Sequence, residues 1–177
     1  AGIATEDNLK TIRSSKYNYD YVCVSRSVPK DFTKLSGKPA SVCDNKGNKI
    51  ELTKVNVEGK DDSFLHIKSD QKLKKEVSID NKLTLRLEAA LQDIKDKLPK
   101  KGTLKRVEKI HEKVGRIKAK LSKIGWLYNI EYTYDKEKKN VTDINWHRVK
   151  EREKPKGQYF LRYTNNTISE SDIWEVY

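Results

Sequence analysis

The chain has 177 residues, enough for one compact domain or for one domain with an appendage at roughly 150 residues per domain. Charged residues make up 36% and hydrophobic ones 35%, so any core must be drawn from amphipathic helices and half-exposed strands; no run approaches the ~20 apolar residues of a transmembrane helix, no signal peptide is visible, and the expected location is cytoplasmic. Lys and Arg number 38 against 26 acidic residues, a formal net charge of +12, which favours a polyanionic partner, nucleic acid first and an anionic membrane surface second.

Thr5 and Asp7 are placed to cap a short helix carrying an apolar stripe of Ile3, Leu9 and Ile12. Tyr17-Asn18 then leads into a strand over 19–25, Tyr19-Asp20-Tyr21-Val22-Cys23-Val24 being rich in aromatic and β-branched residues. From Pro29 to Asp62 short alternating runs are broken at Ser36-Gly37-Lys38-Pro39, Asp44-Asn45-Lys46-Gly47-Asn48 and Glu58-Gly59-Lys60-Asp61-Asp62. Turn signals at such intervals predict an antiparallel meander with strands near 39–43, 49–57 and 63–68.

A helical hairpin is expected next, near 82–124. Leu83, Leu87, Leu91, Ile94 and Leu98 recur at helical spacing, Pro99-Lys100-Lys101-Gly102 breaks the pattern, and Val107, Ile110, Val114, Ile117, Leu121 and Ile124 resume it until Gly125. Leu87, Leu91, Val114, Ile117 and Leu121 are the predicted seam. Strands follow at 128–134, 141–149 and 158–163, and Ser169 starts a last helix with Asp172 in its first turn.

Taken as chemistry, the residues offer no catalytic constellation. Glu6, Asp7, Asp61, Asp62, Glu151 and Glu153 read as solvated carboxylates near turns, His66, His111 and His147 stand alone, and phosphate-cradling glycine motifs are absent. Cys23 and Cys43 have no CxxC partner and read as buried free thiols. The feature that does stand out runs from Lys100 to Lys123, where ten Lys or Arg face two Glu. Within it Lys105, Lys109, Lys113, Arg116 and Lys120 recur at helical spacing as one basic stripe, a candidate contact for the phosphates of double-stranded DNA. Aromatic residues follow at Trp126, Tyr128, Tyr132, Tyr134 and Trp146. The alternate members Tyr128, Ile130, Tyr132 and Tyr134 face one way, as core under the hairpin or as a base-stacking platform, core being the stronger reading.

The two ends carry a family resemblance. Ala1-Gly2-Ile3-Ala4-Thr5-Glu6-Asp7-Asn8-Leu9 and the strand Tyr19-Asp20-Tyr21-Val22-Cys23-Val24-Ser25-Arg26 resemble the segment after the second catalytic Asp of DDE-type bacterial insertion-sequence transposases. Lys113-Val114-Gly115-Arg116, Tyr128-Asn129-Ile130 and Gly157-Gln158-Tyr159-Phe160-Leu161-Arg162-Tyr163-Thr164-Asn165 resemble that family's late insertion and return strand. Ile173-Trp174-Glu175-Val176-Tyr177 resembles the start of the helix bearing the catalytic Glu. The resemblance implies an α+β fold: a partial ribonuclease-H-like core of one helix and one strand over 1–28, a β-rich insertion with the helical hairpin over 29–156, and a return strand and helix start over 157–177.

It further implies a fragment of a metal-dependent enzyme of cut-and-paste DNA transposition whose three catalytic carboxylates lie outside this chain. Mg or Mn would then act in the intact parent, no cofactor would be expected here, and the fragment alone would be inactive. Tyr177 looks like the Tyr of the family's Tyr-Arg-Glu-Lys signature, a phosphate contact. The implied partner is duplex DNA of transposon ends, with a homodimer of the parent as a further partner. A stand-alone basic nucleic-acid-binding module, and a protein in which the hairpin seam pairs between copies, are the competing expectations.

Overall fold

The computed structural model describes residues 4–29, 31–35, 38–135, 137–150 and 156–177. The fold is α+β with two antiparallel sheets. The chain forms two compact units, Ala1–Lys74 with Lys156–Tyr177, and Lys75–Pro155. The meander therefore shares a unit with the two ends of the chain, whereas the resemblance groups it with the hairpin.

In the first unit, α1 (Glu6–Arg13) starts where Thr5 Oγ1 accepts the N–H of Asn8 at 3.2 Å, and Leu9 is buried. Asp7 lies in the first turn beside Glu6, where a carboxylate suits the helix dipole, rather than at the cap. Ile3 of the predicted stripe lies outside the described residues. Strand β1 (Val22–Val24) is shorter than predicted. The Tyr21 N–H donates to the Thr164 side chain at 3.2 Å, and Asp20 accepts from Thr164 Oγ1 and Asn165 Nδ2, so side chains hold the chain where a ladder was expected.

The sheet continues with β2 (Thr33–Lys34), β3 (Ala40–Cys43), β4 (Lys49–Asn56), β5 (Ser63–Ser69) and β8 (Gln158–Tyr163), in the order β1-β8-β5-β4-β2 with β3 also on β4. Registers such as Val22↔Tyr163, Leu65↔Leu161 and Leu52↔Ile67 set the alternation. One face gathers Ile50, Leu52, Leu65, Ile67, Leu161 and Tyr163 against Ile173 of α5 (Glu170–Val176), and the other gathers Val55, Val57, Phe64 and Phe160 with Val28 and Phe32. Ser169 and Asp172 close a capping box at the start of α5. Cys23 is half-buried, and burial pushes its thiol up. Cys43 is exposed, against the expectation of burial, because β3 turns Ala40 and Val42 inward and leaves Ser41 and Cys43 outside.

His66 is buried on the second face. Its ring stacks on Phe160 at 4.7 Å and 13°, with Phe32 at 5.1 Å and Gln158 Oε1 2.8 Å from Nε2. Burial, reinforced by Lys68 and Lys34, lowers its pKa against the opposing effect of the hydrogen bond that Gln158 Oε1 accepts. A base whose folded pKa is depressed is protonated first in the unfolded chain. Stability in the first unit should therefore fall as pH drops below about 6.5, by at most about 1.4 kcal/mol per pH unit for one proton. Urea midpoints at pH 7.5 and 5.5 check this; His66→Gln should flatten the dependence, and an unchanged slope would remove His66 as its source.

In the second unit, α2 (Asp70–Lys97) begins at Asp70 rather than near 82; its residues up to Lys74 belong to the first unit. Ser69 Oγ accepts the N–H of Lys72, and the early turns escape a periodicity search because Leu73, Val77 and Ile79 are exposed. After α2 come α3 (Val107–Lys120), the short α4 (Ser122–Gly125), β6 (Tyr128–Asp135) and β7 (Asn140–Arg148). Leu87, Leu91, Ile94 and Leu98 pack with Ile110, Val114, Ile124, Leu127, Tyr128, Val141 and Ile144. Of the predicted seam, Leu87, Leu91 and Val114 are buried, while Ile117 and Leu121 are half-buried against the cluster. Lys95 ties α2 to β7 through Asp143, the Ile144 carbonyl and Asn145. A Cβ on Gly125 would lie 2.7 Å from the Lys118 carbonyl oxygen, so the last residue of α4, packed against the end of α3, needs to be a glycine. Among the described residues no helix is long and apolar enough to cross a membrane.

Candidate nucleic-acid interface

The basic segment is built on α3. Ile110 and Val114 are buried, with Val107, Ile117 and Leu121 packed beside them, which turns the intervening polar positions outward. The helix starts after Arg106, whose neighbour Val107 donates to the Lys139 carbonyl at 3.2 Å, and it ends at Leu121, whose N–H reaches the Ile117 carbonyl.

The predicted stripe is only partly one surface. Lys109, Lys113, Arg116 and Lys120 share a side of α3, but Lys105 precedes the helix, half-buried, its carbonyl accepting the N–H of Val141 at 2.7 Å. Nor are these cations equally free. Glu112 sits among them, with Arg116 at 2.5 Å and Lys109 at 3.4 Å, and the Arg116 guanidinium followed by the Lys109 ammonium holds its carboxyl below the usual range. Lys113 reaches 4.0 Å from Asp93, which Lys97 already holds at 2.6 Å. Lys120 is exposed and has no carboxylate partner among the described residues.

Further cations lie at the start of α3. Arg106, Lys138 and Lys139 line a recess of about 520 Å³ with Glu108, Tyr134 and Asp135. Next to it, His111 lies 3.1 Å from the Tyr134 hydroxyl and its ring centroid is 4.2 Å from that of Tyr132. The alternate residues of β6 do face one way, with Tyr128 buried, Ile130 and Tyr132 packed on the core and Tyr134 exposed, so the strand is core except at its end. Trp126 is exposed and Trp146 is packed on the core.

No family model, curated protein or solved structure matches the chain. Tyr177 is exposed at the end of α5 in the first unit, its ring 5.9 Å from Trp174.

Sequence reasoning missed two groupings. Arg106, Lys123, Lys138 and Lys139 escaped because a stripe search follows one helix, although Glu112 lies three and four residues from Lys109 and Arg116, a spacing that predicts pairing. Of the carboxylates expected in solvent, Glu6, Asp7 and Asp61 are exposed and Asp62 is not. Asp62 is buried, accepting from Tyr21 Oη at 2.6 Å and Arg162 Nε at 2.7 Å, and Glu6 accepts from Arg162 Nη1 at 2.5 Å. Glu151 and Glu153 lie outside the described residues. Among the described residues no group of three or more His, Cys, Asp and Glu could hold a metal ion, and the buried Asp62 is taken up by Arg162 and approached by Arg13.

Proposed function

We propose that the chain supplies contacts to duplex DNA within the catalytic domain of a DDE-type insertion-sequence transposase. The observation that carries the DNA contact is the outer side of α3, where the cations stand out from the second unit's core. The resemblance of the two ends supports the family; in that reading α1 and β1 are a helix and strand of a ribonuclease-H-like core, and Tyr177 is a second phosphate contact. A reading frame with Asp just before Ala1, Glu soon after Tyr177 and flanking inverted repeats tests the family.

DNA contact is tested by fluorescence anisotropy of a labelled duplex across a salt series. Each phosphate neutralised contributes about 0.9 to the slope of log affinity against log salt, so four contacts give about -3.6, with little sequence preference. Lys109→Glu with Lys120→Glu should weaken binding to all sequences and flatten that slope, while Lys46→Glu with Lys49→Glu, in the meander, should matter much less. Equal losses from both pairs would reduce the interface to generic attraction by a +12 chain.

A further inference from the structure

We infer that the recess at the start of α3 takes one unpaired nucleotide of a DNA strand, its base on Tyr134 and its phosphate between Arg106 and Lys139. The class of ligand rests on the proposed DNA contact, while the recess is a separate feature from the outer stripe of α3. Arg106 directly precedes the helix, Tyr134 and Asp135 end β6, and Lys138 and Lys139 lead into β7. Backbone contacts fix these walls: Val107 donates to the Lys139 carbonyl at 3.2 Å, Val141 donates to the Lys105 carbonyl at 2.7 Å, and Arg106 bridges to Asn140. The recess measures about 520 Å³, within the ~300–1,000 Å³ of small-ligand sites. Lys139 is held at φ +50°, a left-handed backbone that glycine or asparagine adopts more readily, so this corner carries a cation at some conformational cost.

The charges of the recess decide its occupant. Asp135 is used up by the turn, accepting the N–H groups of Glu137 and Lys138 at 3.1 and 3.2 Å, with the Lys138 ammonium at 3.8 Å. That leaves Arg106 and Lys139 against Glu108, all three with side chains that have no hydrogen bond or ion pair among the described residues. The surplus is one positive charge. It suits a single phosphodiester better than the run of phosphates along a duplex, and better than a free nucleoside monophosphate, which carries nearly two negative charges at pH 7. Glu108 is an acceptor without a donor; the amino group of cytosine or adenine supplies one, whereas thymine presents a carbonyl there. Tyr134 supplies the stacking surface. It is 44% exposed, its hydroxyl lies 3.1 Å from His111 Nε2, and its ring runs at 22° to that of Tyr132 with centroids 6.2 Å apart. Tyr132 is packed on the core and steadies the outer ring, and only an unpaired base can bring its face against such a ring.

The test measures binding of the whole chain to labelled duplexes that are blunt or carry a short single-stranded tail of cytosine, adenine or thymine nucleotides. Cytosine or adenine tails should bind about 5-fold or more tighter than the blunt duplex, the low end of what one stacked base contributes, and thymine tails less tightly than either. Tyr134→Ala should abolish the advantage of the tail, and Tyr134→Phe should keep most of it. Glu108→Gln should erase the preference for cytosine over thymine, a ratio that the change in net charge does not move. Arg106→Gln with Lys139→Gly, the glycine suiting the left-handed backbone, should reduce the magnitude of the salt slope of tail binding by about 0.7, one phosphate on a single strand. Tails that bind no tighter than the blunt duplex, or a tail advantage that persists in Tyr134→Ala, overturn the inference and leave the duplex contact standing. Free deoxycytidine monophosphate competing as well as a tailed strand overturns the choice of a strand. A chain that binds single-stranded cytosine tracts but no blunt duplex overturns the duplex contact and supports the recess.

Discussion

Replacing Asp62 by alanine is expected to destabilise the first unit by about 3–5 kcal/mol, the cost of removing one partner from a buried ion pair. The Asp62 side chain is 1% exposed and that of Arg162 11%. One carboxylate oxygen takes the Tyr21 hydroxyl at 2.6 Å, the other takes Arg162 Nε at 2.7 Å, and Arg13 Nε approaches to 3.5 Å. Without the carboxylate, Arg162 keeps only Glu6, which is 57% exposed, and Arg13 keeps only Glu6 at 3.7 Å and the 90% exposed Asp61 at 3.5 Å, its Nε and Nη2 being buried without a hydrogen-bond partner. Amide exchange in β5 and β8 reads the loss directly. Glu6→Gln should cost less than about 1 kcal/mol, because that carboxylate is half in solvent. A loss below 1 kcal/mol for Asp62→Ala would mean that water substitutes for the carboxylate and that the network is not a structural anchor.

Leu91→Ala should cost the second unit about 2–5 kcal/mol, through lost apolar burial and the cavity left behind. Leu91 is fully buried in the cluster formed by α2, α3, β6 and β7. Leu85, on the same helix but 66% exposed, supplies the comparison: its truncation should change stability by no more than about 0.5 kcal/mol. Denaturant midpoints of the two variants check the contrast, and similar losses at both sites would mean that Leu85 is covered in solution.

What was legible in the sequence is what local periodicity writes there. Strand β8 matches its predicted span, β3 to β5 match to within one residue at most ends, and the seam residues Leu87, Leu91 and Val114 are buried as their spacing requires. The first turns of α2 were illegible because Leu73 and Val77 are only partly covered and add no apolar stripe to the one that begins at Leu83. The network of Glu6, Asp62 and Arg162 was illegible for another reason: its members are 100 and 156 residues apart, and only the pairing of β5 with β8 brings Asp62 and Arg162 together. In the candidate interface the surplus of charge was legible, but its distribution was not. Arg106 meets Lys138 and Lys139 only because β7 returns beside the start of α3.

The place of β8 orders events during synthesis. It lies between β1 and β5, so the first unit's sheet stays split until residues 158–163 emerge from the ribosome, some ninety residues after β5. The second unit is continuous and its core is complete before then. Domains fold as their chains become available, and pairings this remote are slow to form. The nascent chain therefore holds its hairpin folded while the edges of β1 and β5 still wait for their shared neighbour, and in that interval the two open edges are the part of the molecule most exposed to pairing with the wrong strand.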